Sequence, residues 1–196
     1  MLYPKVFQKL ISHFASLPSI GPKMAERLVL HLFSVDKERL TDFAQSIAAL
    51  QDLCRCQRCF NVADDILCAI CRDKNRDQKK ICVVEEPLDV IPIERTKAYD
   101  GIYHVLGGTL ESSIEENADI TIPQLLERVK NENTEEIIIA TNFTTEGDVT
   151  ALYLKRALQP LSAKITRLAR GLSTGGDIEY ADDMTLRAAL TNRADV

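Results

Sequence analysis

Cys56, Cys59, Cys68 and Cys71 form two Cys-x2-Cys pairs separated by eight residues. A Cys-x2-Cys turn directs both sulfurs, and nearby backbone N–H groups, towards one point. Two such pairs this close supply four thiolates to a tetrahedral Zn2+. No other feature constrains the local fold as tightly. Disulfides are the competing use of such a set, but nothing in the chain implies export. A redox pair would normally occur singly, at the start of a helix. With four protein ligands the site is closed and leaves no position for substrate, so the metal is structural. Cys54 offers a looser alternative to Cys56, and the tighter spacing favours Cys56. Cys82 lies in an apolar, strand-like run and reads as a small core residue.

The 196 residues carry 24 bases against 29 acids, a formal charge of −5. Taken as an average, this argues against a general nucleic-acid binder. The charge is unevenly spread. Residues 1–35 hold four bases against one acid, and residues 54–80 hold seven against four. Residues 81–150 hold fifteen acids against four bases. Such blocks point to modules with different tasks. The longest apolar runs are five or six residues, far short of a membrane span. The N-terminus lacks the apolar core of a signal peptide, so a cytosolic protein with reduced thiols is expected.

Val6, Phe7, Leu10, Ile11, Phe14 and Leu17 recur at helical spacing. The string Leu17-Pro18-Ser19-Ile20-Gly21-Pro22-Lys23 then punctuates a turn, with Pro22 suited to open a second helix. A third helix is expected from Asp36 as N-cap, with Leu40, Phe43, Ala44 and Ile47 on one face. A tight turn at a helix N-terminus presents backbone N–H groups to a phosphate oxygen. Lys23 and Arg27, four apart, share the helix face beside that turn. Where such a hairpin usually reads Gly-x-Gly, this chain has Ser19 first, which gives up glycine's tolerance of positive φ. The segment alone leaves two readings open: a phosphate-gripping hairpin, or a plain helical hairpin with solvated cations.

From residue 81 the pattern becomes α/β. Ile81–Val84, Ile102–Leu106, Ile137–Thr141 and Ala163–Leu168 read as buried strands; Gln124–Val129 and Val149–Leu158 read as helices. Continuous apolar strands alternating with helices indicate a parallel sheet covered on both faces. Functional groups in such sheets gather at the carboxyl ends of strands. Glu85 follows the first strand, and Asn142, Glu146 and Asp148 follow the Ile-rich one. If those strands are neighbours, three carboxylates converge on one edge. That is either a Mg2+ site or a solvated acidic loop favoured by helix N-termini.

This ordered combination resembles the RecR family of bacterial recombination mediators over essentially the whole chain. The resemblance rests on the hairpin string, the cysteine quartet, Val83-Val84-Glu85 and Ala140-Thr141-Asn142 with Glu146-Gly147-Asp148. It extends to Arg167-Leu168-Ala169-Arg170-Gly171 and Gly175-Gly176-Asp177-Ile178-Glu179-Tyr180. It implies an α+β chain of several modules: a helix-hairpin-helix DNA-binding region over 1–53, a four-cysteine zinc finger over 54–77, a Toprim domain over 78–170 and a Walker B-like segment with tail over 171–196. Toprim enzymes hold Mg2+ with a Glu after one strand and Asp-x-Asp after another; here Glu85 matches, but the second motif is Glu-x-Asp. The family is regarded as non-enzymatic, its Toprim domain serving to bind partners.

The resemblance further implies a homo-oligomer, dimer to ring-like tetramer, that binds DNA. With RecO and RecF it would help load RecA onto gapped single strands in the bacterial cytoplasm, at the nucleoid. Lys23 and Arg27 are the expected phosphate contacts, with Lys5, Lys9 and the cations of the zinc module behind them. Glu85, Glu146 and Asp148 would form a partner-docking edge. An ATPase needs a Gly-x4-Gly-Lys-Ser/Thr cradle, which is missing, so no ATP hydrolysis is expected. The competing readings are a Mg2+-dependent Toprim nuclease using the same three carboxylates, and a zinc-stabilised adaptor with no nucleic-acid role.

Overall fold

The computed structural model describes residues 3–111, 120–161 and 163–193. They fall into two compact units, Met1–Leu53 and Cys54–Val196.

The first unit is helical: α1 (Lys5–Ala15), α2 (Pro22–Ser34) and α3 (Lys37–Ala49). Pro22 occupies the first turn of α2, as the sequence predicts, because its missing N–H lies where no intrahelical acceptor exists. Asp36 caps α3 by accepting from the Arg39 N–H at 2.9 Å. Between α1 and α2 the Ile20 N–H donates to the Leu17 carbonyl at 3.2 Å, closing a turn with Pro18 and Ser19 at its centre. Ser19 takes φ of +63°, the left-handed conformation that its side chain was expected to disfavour. Closing the turn imposes that conformation. Ala25 and Val29 are buried in this unit, but the apolar residues of α3 are largely exposed.

The second unit is built on a four-stranded sheet. A short antiparallel hairpin, β1 (Cys54–Arg55) and β2 (Val62–Ala63), leads into the single-turn helix α4 (Ala69–Arg72). Then follow β3 (Asp77–Val84), α5 (Pro87–Thr96), β4 (Gly101–Val105), α6 (Ile122–Asn131), β5 (Glu136–Ile139), α7 (Thr145–Leu158), β6 (Lys164–Arg167) and α8 (Asp183–Thr191). The strand order is β4-β3-β5-β6, all parallel. This is the sheet the continuous apolar runs predict, because its central strands bury both faces. One face packs Ile81, Val83, Ile102 and Ile137 with Leu125, Leu154 and Leu158. The other packs Cys82, Val84 and Tyr103 with Val90 of α5. Cys82 is a core residue as expected, and burial pushes its thiol up to about 12.

Helix α5 has no counterpart in the sequence reading, because Pro92 interrupts its pattern. Its start is nevertheless coded: Pro87 opens the helix, and Glu86 and Asp89 exchange backbone hydrogen bonds in a capping box. Helix α7 begins at Thr145, earlier than the apolar pattern suggests, because the Thr144 hydroxyl accepts from the Gly147 N–H.

Candidate metal centre and the carboxyl edge of the sheet

All four sulfurs of Cys56, Cys59, Cys68 and Cys71 lie within 4.8 Å of one another, and all four residues are buried. Among the described residues this is the one group of three or more His, Cys, Asp or Glu side chains close enough to share an ion. The first knuckle turns because Phe60 adopts φ of +64°, returning its N–H to the Cys56 carbonyl at 2.9 Å. The second opens α4, with Cys68 at the N-cap. Cys54 is exposed, and its thiol donates to the Asp65 carbonyl at 3.2 Å, so the tighter of the two spacings supplies the cluster. The Cys71 thiol is pulled down to about 6, first by its hydrogen bond with Cys59 and further by the positive charge of Arg128. The same hydrogen bond and burial push Cys59 up. Buried thiols sharing protons beside a guanidinium are a donor set that fits Zn2+, which takes thiolates in tetrahedral array.

The cluster is fixed to the sheet. The Val105 N–H at the end of β4 donates to the Cys59 carbonyl at 2.8 Å. The Phe60 ring meets that of the buried His104 edge-on at 5.3 Å. Arg58, between the first two cysteines, sends a fork to Glu132 with both contacts at 2.9 Å. Arg128 donates to Glu132 at 2.9 Å and to the Tyr103 carbonyl at 2.7 Å. Burial acts to raise the Glu132 carboxyl, but the bond from Arg58 and the charge of Arg128 outweigh it and hold it below its ordinary value. Sequence reasoning missed Arg128 and Glu132; their i, i+4 spacing on α6 was the available signal.

Strands β3 and β5 are neighbours, as the acidic-edge reading required, yet the three carboxylates do not form one cluster. Glu85 is buried and accepts from the Asn142 backbone N–H at 2.9 Å and from its side-chain amide at 2.5 Å. Gly147 permits this closeness, since a Cβ there would lie 2.1 Å from the Asn142 carbonyl oxygen and 2.8 Å from Glu85. Glu146 is exposed in the first turn of α7. Asp148 accepts from Arg167 at 2.7 Å and also from Arg170. Those two arginines hold its carboxyl below its ordinary value, Arg170 having the larger effect. Mg2+ wants carboxylate oxygens free to ligate it. A capped Glu85, a separate Glu146 and a doubly paired Asp148 do not fit that ion.

In the first unit Lys5, Lys9, Lys23 and Arg27 are all exposed, and none has a carboxylate partner among the described residues. In the C-terminal segment Ser173–Gly176 forms a turn with Gly175 at φ of +82°, and residues 171–180 are all exposed. This is the turn expected for the two glycines. No described helix is long and apolar enough to cross a membrane.

The parallel sheet and the sulfur cluster define a Toprim protein carrying a four-cysteine zinc finger. Residues 79–169 match the family described as Toprim domain. Residues 7–50 match the RecR helix-hairpin-helix, residues 53–73 the RecR four-cysteine zinc finger domain, and residues 171–194 the RecR C-terminal family. The chain is 50% identical over 200 residues to the Recombination protein RecR of Lacticaseibacillus casei (strain BL23), covering 100% of both chains. It is likewise 50% identical over 192 residues to that of Chloroflexus aggregans, covering 96% of this chain and 93% of the relative. The chain belongs to the RecR family of recombination proteins.

Proposed function

We propose that the chain is a non-enzymatic, DNA-binding mediator of recombinational repair. It acts with RecO and RecF to place RecA on gapped single strands, in the cytoplasm at the nucleoid. The observation that carries this reading is full-length similarity to proteins named Recombination protein RecR, joined to Lys23 and Arg27 near the start of α2, exposed and without a carboxylate partner among the described residues. A helix N-terminus flanked by free cations suits a phosphate, whatever the base sequence.

The division of labour follows the chain. Residues 1–53 grip DNA, with Lys5 and Lys9 as secondary contacts. Residues 54–77 fold around one structural Zn2+ held by Cys56, Cys59, Cys68 and Cys71. Residues 78–170 dock protein partners at the edge carrying Glu85, Glu146 and Asp148, and residues 171–196 serve subunit contact. An apolar groove of about 300 Å3 in the first unit, lined by Val6, Phe7, Leu10, Leu32, Phe33 and Leu40, supports self-association into a dimer or ring-like tetramer.

Replacing both Lys23 and Arg27 by alanine is expected to weaken binding of short DNA about tenfold at low salt and to flatten its salt dependence, with the fold intact. Unchanged affinity across a salt series would sink the assignment. Mg2+-dependent cleavage of labelled DNA that disappears in Glu85→Gln would replace the mediator reading with a nuclease. Phosphate release from ATP that disappears in Asp177→Asn would likewise overturn the absence of ATPase activity.

A further inference from the structure

At the carboxyl edge of the sheet, where a Toprim enzyme would hold a cation, this chain places two. Arg167 ends β6, and Arg170 follows three residues later. Both guanidiniums donate to one oxygen, Oδ1 of Asp148. Both also lie over the Phe143 ring, at 5.0 and 4.6 Å from its centre. Two positive charges therefore share one negative charge, and a ring face attracts a cation without neutralising it. Glu85 is capped by Asn142, and Asp182, which faces Arg170 across a cavity, accepts from the Thr185 N–H and hydroxyl at 2.8 and 2.7 Å, bonds that fix its orientation and leave its charge in place.

The arginines are held but not used up. Their side chains are 29% and 32% exposed. Nε and Nη1 of Arg170 have no acceptor among the described residues, and Nε of Arg167 is buried without one. A cavity of about 270 Å3 opens at Arg170, bounded by Phe143, Gly171, Asp182, Met184 and Thr185. Phe143 itself is 48% exposed. Planar guanidiniums fixed in orientation and carrying unused N–H groups match the oxygens of a phosphate. An exposed aromatic ring in the same patch favours a strand whose bases are free to stack.

We propose that Arg167 and Arg170, oriented by Asp148 and Phe143, form a phosphodiester-binding site for single-stranded DNA in the second unit. This rests on the DNA-binding reading above and adds a contact outside the helical hairpin. The site inverts the Toprim edge: Asp148 serves as an internal counter-ion that sets two cations in place, rather than as part of the protein-docking edge proposed above, and the ligand is an anion.

The test uses the full, zinc-loaded chain and a labelled oligothymidylate, with affinity followed over a salt series. Arg170→Gln is expected to bind about three- to tenfold more weakly at low salt. Its salt slope should fall by about 0.7, the loss of one phosphate contact on a single strand. Asp148→Asn is expected to bind more tightly than the parent, because the carboxylate no longer competes for the guanidiniums. A merely structural triad predicts the opposite, so weaker binding by Asp148→Asn overturns the site. Arg170→Gln with parental affinity and slope also overturns it, while leaving the hairpin reading intact if Lys23→Ala with Arg27→Ala still loses affinity. If neither variant changes binding, the DNA-binding reading itself fails. Loss of association with an acidic peptide, with DNA binding unchanged, would make the patch a protein-docking site and overturn the proposal. Should Arg170→Gln not fold, Asp148→Asn and Arg167→Lys carry the test.

Discussion

The helical hairpin and the zinc module are both basic, but their cations are in different states. Lys5, Lys9, Lys23 and Arg27 stand in solvent without partners among the described residues. In residues 54–80, five of the seven basic residues are already paired: Arg58 with Glu132, Arg72 with Asp64 and Asp65, Arg76 with Glu94, Lys79 with Glu135, and Lys80 with Asp77 and Asp100. Among the described residues of this module, only Arg55 and Lys74 are left. Equal formal charge thus serves two ends. In the hairpin it is left open to solvent, the state the proposed phosphate contact needs; in residues 54–80 most of it is neutralised by acids of the same unit, with Arg58 tying the first knuckle to Glu132. On the proposed reading, availability rather than net charge decides which basic segment meets DNA.

The comparison breaks most visibly at the metal. Binding of a structural zinc is coupled to folding by on the order of 10 kcal/mol. Cys71→Ser, or removal of the ion by a chelator, is expected to abolish the cooperative unfolding transition of the second unit. The helical signal of α1–α3 should remain in far-ultraviolet circular dichroism. The ligands must be thiolates, so the sign of the pH effect is fixed: zinc retention against a competing chelator should fall as the solution is acidified from about pH 7 to about 5. A second unit that unfolds at the same temperature with and without metal would show that the quartet does not organise it.

Next in size is Glu132, which fastens two arginines. Glu132→Gln leaves Arg58 and the buried Arg128 without their carboxylate and is expected to cost about 2 kcal/mol, less than a fully buried pair because Glu132 is partly solvated. Its folded carboxyl is held below the ordinary value. Its stabilising contribution is therefore complete above the unfolded pKa and is lost as pH falls through the folded one. Urea midpoints measured from about pH 7 down to about 3 should show a shallower acid decline in the variant than in the parent. Parallel curves would mean that Glu132 does not carry this linkage.

Arg76→Ala against Lys23→Ala with Arg27→Ala sets paired cations against free ones. Arg76 sits between Glu94 and the Gly101 carbonyl and is mostly buried. Its loss should lower thermal stability and leave DNA affinity within about twofold. The hairpin variant should do the reverse, costing about tenfold in affinity and little stability. If Arg76→Ala weakens DNA binding as much as the hairpin variant, pairing does not decide availability.

Most of the architecture was legible because its signals are local. The quartet, the Pro22 and Asp36 helix starts and the four apolar strands each follow from spacing or from a cap. The acidic edge was legible only in outline. Glu85 and Asp148 could be placed at one sheet edge from the strand pattern. That Asn142 caps one and two arginines claim the other depends on partners 57 and 19 to 22 residues away. Nothing in the spacing of Glu146-Gly147-Asp148 encodes Arg167 and Arg170. Helix α5 was hidden by Pro92, whose effect on periodicity outweighed the capping box before it.

The smallest expected effect tests the hairpin itself. Ser19 holds φ of +63° in an exposed turn, where a residue with a Cβ is strained by roughly 1 kcal/mol. Glycine adopts that conformation freely but carries more backbone entropy into the unfolded chain, which offsets part of the gain. Ser19→Gly is therefore expected to stabilise the first unit by about 0.5 kcal/mol in denaturant titration. DNA affinity should stay the same, since the turn already holds the shape glycine would give it. A marked gain in affinity would mean that the serine turn does not rest in its binding conformation. The free cations of the hairpin would then be less organised for phosphate than the arginines fixed at the sheet edge.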